Sequence, residues 1–326
     1  MRVLVTGVAG FIGFHLASRL LREGHDVTGV DNLAPFYNVQ LKRDRLSELV
    51  GYSDASGGRF VFHESDVCDL PAMNRFCEES QPECIVHLAA QPGVRYSVKY
   101  PFACQKANLD GFLTVLECGR SAAVKPRLIY ASSSSVYGNN KTLPFSEAQA
   151  VDHPVSLYAA TKKANELMAH VYSKLYDMQT IGLRFFTVYG PWYRPDMAIY
   201  LFADAITQGQ PLHVFNGGEM RRDFTYVDDI VDGIMRCISG KNFDRYEIFN
   251  IGNNKAERLM DVINLLSAEF GITPKLEFCP MQDGDVSSTW ANIDRLKART
   301  GYEPTTSIQI GIPRFVAWYK SYVLRK

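Results

Sequence analysis

A tyrosine and a lysine four residues apart lie on one helix face, a turn from each other, and together they can serve as an acid–base device. A phenol of ordinary pKa, about 10, must lose roughly three units, or about 4 kcal/mol, to accept a proton near neutrality. A neighbouring ammonium has the right sign of charge to supply part of this. The chain holds three such pairs: Tyr137/Lys141, Tyr158/Lys162 and Tyr322/Lys326. Tyr137 is followed by Gly138, Asn139 and Asn140, with Pro144 soon after, and reads as a loop. Tyr322/Lys326 sits at the C-terminal end, where fraying is the default. Tyr158/Lys162 opens "YAATKKANELMAHVYSKLY", with strong helix formers, apolar spacing at Leu167, Val171 and Leu175, and Pro154 and Ser156 upstream as start signals. This pair is expected to be held rigidly, with Tyr158 as the base.

A second signal lies at the N-terminus. In "VLVTGVAGFIG", Gly7, Gly10 and Gly13 follow a strand and open an amphipathic helix. Glycines here permit a sharp turn, close approach of backbone to a pyrophosphate, and tight packing of helix on sheet. The spacing is GxxGxxG, and Asp31 ends the next strand about twenty residues on. That carboxylate accepts ribose hydroxyls and repels a 2′-phosphate, and Asn32, not an arginine, comes next, so NAD is expected in preference to NADP. Asp66, in "HESDVCD", is placed either to meet the adenine amino group or to serve as a turn residue. A nicotinamide cation beside Lys162 completes the charge needed to make Tyr158 a base, and Lys162 would also hold the nicotinamide ribose.

These residues require a frame. Short β-branched runs at Arg2–Thr6, Asp26–Val30, Arg59–His63, Cys84–Leu88, Arg127–Ala131 and Thr180–Phe185 alternate with helical spacing at Phe11–Glu23 and Leu109–Ala122. Repeated strand–helix units imply an α/β fold, a doubly wound parallel sheet of the Rossmann type with a smaller C-terminal α/β substrate domain. Beyond Phe185, Pro191, Pro195, Pro211 and Gly217 break the pattern, which puts a dinucleotide-binding domain at 1–183 and a second domain at 184–326, some of whose segments return to the first. "YASSSSVYG", Tyr130–Gly138, follows a strand and is therefore the edge of a site and not a linker.

Thirty-five basic residues balance thirty-five acidic ones, so no global field favours nucleic acid or a membrane. No segment reads as a signal peptide or a membrane span. Seven scattered cysteines without a CxxC pair indicate neither a disulfide framework nor a metal site, and are expected as thiols in a reducing cytoplasm.

The chain resembles the extended short-chain dehydrogenase/reductase family along its length, on "TGVAGFIG", "HLAAQ", "YASSSSVYG", the Tyr158/Lys162 helix, "RFFTVYGPW" and "RRDFTYVDD". The resemblance implies a triad of Ser133, Tyr158 and Lys162, with Ser135 near enough to contact the same hydroxyl. It implies NAD contacts from Gly7, Gly10, Phe11, Ile12, Gly13, Asp31, Asn32, Asp66, Val67, Leu88, Ala89, Ala90, Gln91, Asn108, Tyr158 and Lys162. A UDP-sugar in the cleft between two lobes and a homodimer through paired helices are also implied.

Relatives that dehydrate or decarboxylate a sugar carry an acid in the serine run, where this chain has Ser134 and Ser135, so an oxidise-and-return cycle is expected. "HLAAQPGVRYS", "DHPVSLYAATKKANELMAH", "RFFTVYGPWYRPDMA" and "GGEMRRDFTYVDDIVDGI" look most like UDP-glucuronate 4-epimerases. A substrate with a carboxylate and two phosphates needs several cationic donors, and Arg95, Arg194 and Arg222 lie in these motifs. The resemblance assigns Arg222 to the diphosphate, Arg194, Thr187, Ser134 and Ser135 to the sugar carboxylate, and Asp285 to the substrate. Pro211–Asn216 reads as an edge strand whose backbone at Val214 could bond uracil with Phe215 stacking, and equally well as core packing. Thr187 and Gln282 depart from the galactose 4-epimerase pattern. A UDP-glucuronate decarboxylase, a UDP-hexose or N-acetylhexosamine 4-epimerase, and a non-catalytic NAD-binding sensor are the alternatives.

Overall fold

The computed structural model describes residues 1–281 and 287–325. In chain order its strands are β1 (Arg2–Thr6), β2 (Asp26–Asp31), β3 (Phe60–Glu64), β4 (Cys84–His87), β5 (Arg127–Ser133), β6 (Thr180–Phe185) and β7 (Thr187–Tyr189). β8 (Pro211–Phe215), β9 (Arg221–Arg222), β10 (Phe224–Tyr226), β11 (Tyr246–Ile251), β12 (Glu257–Arg258), β13 (Lys275–Cys279) and β14 (Ser288–Thr289) follow. The helices that position the site are α1 (Phe11–Arg22), α2 (Val39–Ser56), α3 (Leu70–Ser80), α4 (Val94–Lys99), α5 (Pro101–Gln105), α6 (Gly111–Ser121) and α7 (Leu157–Tyr176). The remainder are α8 (Ala198–Thr207), α9 (Val227–Ser239), α10 (Leu259–Phe270), α11 (Asp294–Thr300) and α12 (Ile308–Tyr322).

Seven strands form one parallel sheet in the order β11-β6-β5-β4-β1-β2-β3. Its central strands are apolar on both faces, as helix-covered parallel strands must be: Val3, Leu4, Val5, Ile85, Val86, Leu128 and Ile129 are all buried. The strand order reverses between β1 and β4, which opens a crevice at their carboxyl ends. The loops after β1, β4 and β5 all end there.

The boundary expected at residue 184 falls inside β6, and β11 returns to the central sheet from well beyond it. One apolar core joins both parts, running from Val3 and Val5 through Phe185 and Ile230 to Phe315 and Tyr319. Small sheets complete the second part: β7 with β10, β8 with β13, and β9 between β12 and β14.

The expectation of seven unpaired cysteines is corrected. Cys77 on α3 and Cys118 on α6 form a disulfide, because these helices pack side by side and bring residues 41 apart in sequence to a Cα separation of 6.8 Å. The cysteines therefore carry no argument about compartment. Among the described residues, no helix is long and apolar enough to cross a membrane, and no group of three or more His, Cys, Asp or Glu side chains is arranged to hold a metal ion.

Candidate active site

The glycine turn packs directly on the loop after β4. Gly7 has φ +71°, and a Cβ built there would lie 2.7 Å from the Ala89 nitrogen. One on Gly13 would lie 2.1 Å from the Gly7 oxygen, which allows no side chain. Phe11 is buried, and Ile12 half-buried, in the first turn of α1. Leu88 and Ala89 are fixed by Thr6, whose carbonyl accepts from the Leu88 N–H at 3.1 Å and whose hydroxyl accepts from the Ala89 N–H at 3.2 Å. Ala90 and Gln91 continue this half-buried wall.

At the end of β2, Asp31 accepts the N–H groups of Ala9 and Leu33 at 3.2 and 2.9 Å. Lys42 of α2, absent from the sequence reading, stands 3.5 Å from the same carboxylate. The side chain of Asn32 donates to Asp66 at 3.1 Å. Burial works to raise the Asp66 pKa, but hydrogen bonds from Cys68 and Asn32 hold it below the usual value. Val67 is buried against Gly111 of α6. A glycine cradle without room for side chains, ending in a carboxylate at the neighbouring strand, fits a dinucleotide with free ribose hydroxyls.

Asn108 is buried. Its side chain accepts from the Gln91 N–H at 2.8 Å and donates to the Gln91 carbonyl at 3.2 Å and the Thr161 hydroxyl at 3.0 Å. It braces the β4 loop to α7, set in a single π-helical turn at Lys106–Asp110.

Ser156 caps α7, accepting from the Ala159 N–H at 3.1 Å. Tyr158 is half-buried one turn before the buried Lys162, whose ammonium donates to the Ala131 carbonyl of β5 at 2.9 Å. The four serines separate by role. Ser132 turns inward, its hydroxyl donating to Glu166 at 2.7 Å. Ser133 hydrogen-bonds Tyr158, and Ser134 and Ser135 begin the short 3-10 turn Ser134–Tyr137. Of the other two tyrosine–lysine pairs, Tyr137 is buried and donates to Asn250 at 2.6 Å, and Lys326 lies outside the described residues.

Without the nicotinamide cation on which the expectation also counts, the Tyr158 phenol stands above its ordinary value. Burial raises its pKa above 10.0, and the Ser133 hydrogen bond and the Arg194 charge oppose this only in part. Burial pushes Lys162 down to about 8. In both groups the removal of water is the largest influence, and it favours the uncharged form.

Of the residues expected to meet the substrate, Arg95, Ser134 and Ser135 lie before β6 and the others beyond it. Thr187 opens β7, its N–H donating to the Asp223 carbonyl at 3.1 Å. Arg194 donates Nε–H to Asp196 at 3.0 Å and lies 5.4 Å from the centre of the Phe36 ring. Arg222 donates to the carbonyls of Arg221 and Ser287 at 2.9 and 3.2 Å. Arg95 is exposed on α4, whose Ser97 hydroxyl accepts from the Tyr158 N–H at 3.2 Å. On β8, the Val214 side chain is fully buried and Phe215 half-buried, which leaves Val214 only its backbone for a ligand. Asp285 and Gln282 lie outside the described residues. The sequence reading missed Lys42, Arg45, Glu166 and His15. The three-residue spacing of Lys42 and Arg45 on one face of α2 was the available signal.

The model of the NAD dependent epimerase/dehydratase family matches residues 3–252. The chain is 45% identical to Protein CapI of Staphylococcus aureus over 99% of both chains. It is 44% identical to a probable UDP-glucuronate 4-epimerase of Rhizobium meliloti (strain 1021), covering 98% of this chain and 97% of that one. Among solved structures, UDP-glucuronic acid 4-epimerase from Bacillus cereus, in complex with UDP-glucuronic acid and NAD, superposes with a TM-score of 0.90 at 32% identity, over 98% of this chain and 99% of that one. From its glycine cradle to the Tyr158 helix, this chain belongs to the NAD dependent epimerase/dehydratase family.

Proposed function

We propose that this protein is a UDP-glucuronate 4-epimerase, interconverting UDP-glucuronate and UDP-galacturonate. What carries the reading is the likeness to relatives named for this activity together with the placing of Arg194, whose positive charge bears on the Tyr158 phenol. In a uronate the carboxylate is borne by the carbon next to C4, so one sugar can present its C4 hydroxyl to Tyr158 and its carboxylate to Arg194. Relatives bearing the same activity in their names and the NAD complex of the B. cereus enzyme support it.

NAD, when bound, accepts hydride from C4 and returns it to the other face of the sugar. Gly7, Gly10 and Gly13 would cradle its pyrophosphate and Asp31 its ribose. Tyr158 takes the proton of the C4 hydroxyl as hydride leaves C4 and gives it back on reduction, and Ser133 holds the same oxygen. Lys162, anchored on the Ala131 carbonyl, keeps a cation beneath the phenol. Arg194, Thr187, Ser134 and Ser135 hold the carboxylate, and Arg222 the diphosphate. The 4-keto intermediate is a β-keto acid, so the carboxylate must be held out of alignment with the ring carbonyl for carbon dioxide to stay on.

The enzyme is proposed to act as a homodimer through the outer faces of α6 and α7. Leu113, Leu167, Val171 and Leu175 are exposed there. Such a row on neighbouring helices suits a second copy of the same surface.

NMR of UDP-glucuronate incubated with the purified protein, without added cofactor, tests the function. Inversion at C4 with no pentose product is expected. Turnover of UDP-glucose with none of the uronate would sink the substrate assignment.

A further inference from the structure

Two consecutive carbonyls of the loop that carries Arg194 are held from the dinucleotide side of the protein. His15 of α1 donates Nε2–H to the Pro191 carbonyl at 2.9 Å. Arg45 of α2 donates Nη2–H to the Trp192 carbonyl at 2.5 Å, and Nη1–H to both the Ala9 carbonyl at 2.8 Å and the Tyr37 hydroxyl at 2.7 Å. Ala9 lies inside the glycine turn. Arg45 therefore touches both the turn that receives the dinucleotide and the loop that presents Arg194.

Three observations set this contact apart from ordinary packing. Arg45 is 0% exposed, and among the described residues no carboxylate forms an ion pair with it. A buried guanidinium without an acid costs free energy that a purely structural contact could avoid. The backbone it holds is itself unusual: Gly190 has φ 153° and Trp192 φ 59°. A bulky residue in the left-handed region costs on the order of 1–3 kcal/mol and persists only where its surroundings fix it. Those surroundings are the two held carbonyls and the indole, which packs on Phe14 at 5.3 Å and Tyr322 at 4.7 Å between ring centres. Finally, His15 stays neutral near pH 7, since burial pushes its pKa down to about 4. It acts on Pro191 as a hydrogen-bond donor, not as a charge.

We propose that Arg45, assisted by His15, is a positioning residue that locks the Arg194 loop to the glycine turn and so sets the uronate selectivity of the site. This rests on Arg194 as the carboxylate ligand. Arg45 meets neither sugar nor reacting atoms. Its loss moves the group that reads the carboxylate, whereas the uracil and diphosphate contacts proposed for the substrate, on β8 and at Arg222, belong to other segments.

The test is calorimetric titration of the purified protein, with the cofactor it retains, against UDP-glucuronate and UDP-glucose. Arg45→Lys and His15→Phe are expected to weaken the uronate roughly tenfold, the scale of a lost charge-assisted contact, and to leave UDP-glucose within about twofold. His15→Gln, which keeps an N–H donor, should recover most of the uronate affinity. Equal weakening of both sugars, or no weakening in folded variants, overturns the proposal. If Arg45→Lys does not fold, the His15 pair carries the same test. Arg194→Ala separates the two readings: unchanged uronate affinity in that variant refutes the carboxylate assignment itself, and the proposal with it.

Discussion

The Ser133 hydroxyl donates to that of Ser135 at 3.1 Å, and the Ser135 N–H donates back to Ser133 at 3.2 Å. Ser133 is also the partner of Tyr158, so the two serines form a short relay in which only the first touches the base. Ser133→Ala is expected to lower kcat by roughly a hundredfold, the usual scale of a lost proton-relay group, with KM little changed. Ser135→Ala should act mainly on KM. Steady-state kinetics of both variants with UDP-glucuronate distinguish them, and the reverse pattern would exchange the two roles.

Lys162 is charged below its depressed pKa of about 8 and neutral above it. The ammonium one turn from Tyr158 is thus lost as pH rises through that value. The turnover rate should fall on the alkaline side of this point. In Lys162→Arg, whose side chain keeps its proton, the fall should move to higher pH. A pH–rate profile that is the same in both proteins would remove Lys162 from the acid–base account.

Beneath the serine run lies a buried ionic network. Glu166 accepts from Ser132 at 2.7 Å and from Arg184 at 2.8 and 2.9 Å, and Arg184 donates onward to Tyr137 at 3.0 Å. Glu166 lies one turn beyond Lys162, so this network fixes the catalytic helix against β5 and β6. Arg184→Met leaves the buried Glu166 carboxylate with the Ser132 hydroxyl and the Lys163 ammonium, 3.6 Å away, and should cost about 3 kcal/mol of stability. Denaturant melts measure it. A loss under about 1 kcal/mol would show that Glu166 takes up a proton or reaches water.

Burial and the nearby Lys162 charge push His87 down to about 3, and its Nδ1 lies 2.8 Å from the Thr6 hydroxyl. Below the ordinary value of 6.5 the unfolded chain binds a proton that the folded protein refuses, so stability falls as the solution is acidified from 6.5 towards 3. At a pH of about 5 the deficit is on the order of 2 kcal/mol. His87→Gln should flatten the acid limb of a pH–stability curve. An unchanged slope would place the acid sensitivity elsewhere.

The readable parts of this chain were those set by neighbours in sequence. The glycine turn, the alternating strands and the Ser156-capped helix arise from backbone freedom, side-chain branching and periodicity, all of which act over a few residues. Spacing together with local breakers was enough to choose Tyr158/Lys162 among three equal matches, since Tyr137 belongs to a buried loop structure instead.

Contacts between distant segments were not readable. Which serine meets Tyr158 depends on the angle at which β5 delivers its last residues to α7, and Ser132 was taken inward by Glu166. Asn108 ties the β4 loop to α7 because Gln91 and Thr161 converge on its amide. The Cys77–Cys118 bond required α3 and α6 to settle side by side, and β11 joined the sheet only because β6 offered a parallel edge. Sequence alone determined the chemical groups and the short elements that carry them, because those obey local sterics. The tertiary structure decided the pKa of Tyr158 and Lys162 and the hold of Arg45 on the Arg194 loop, because burial and hydrogen bonding belong to the packed chain and not to any segment of it.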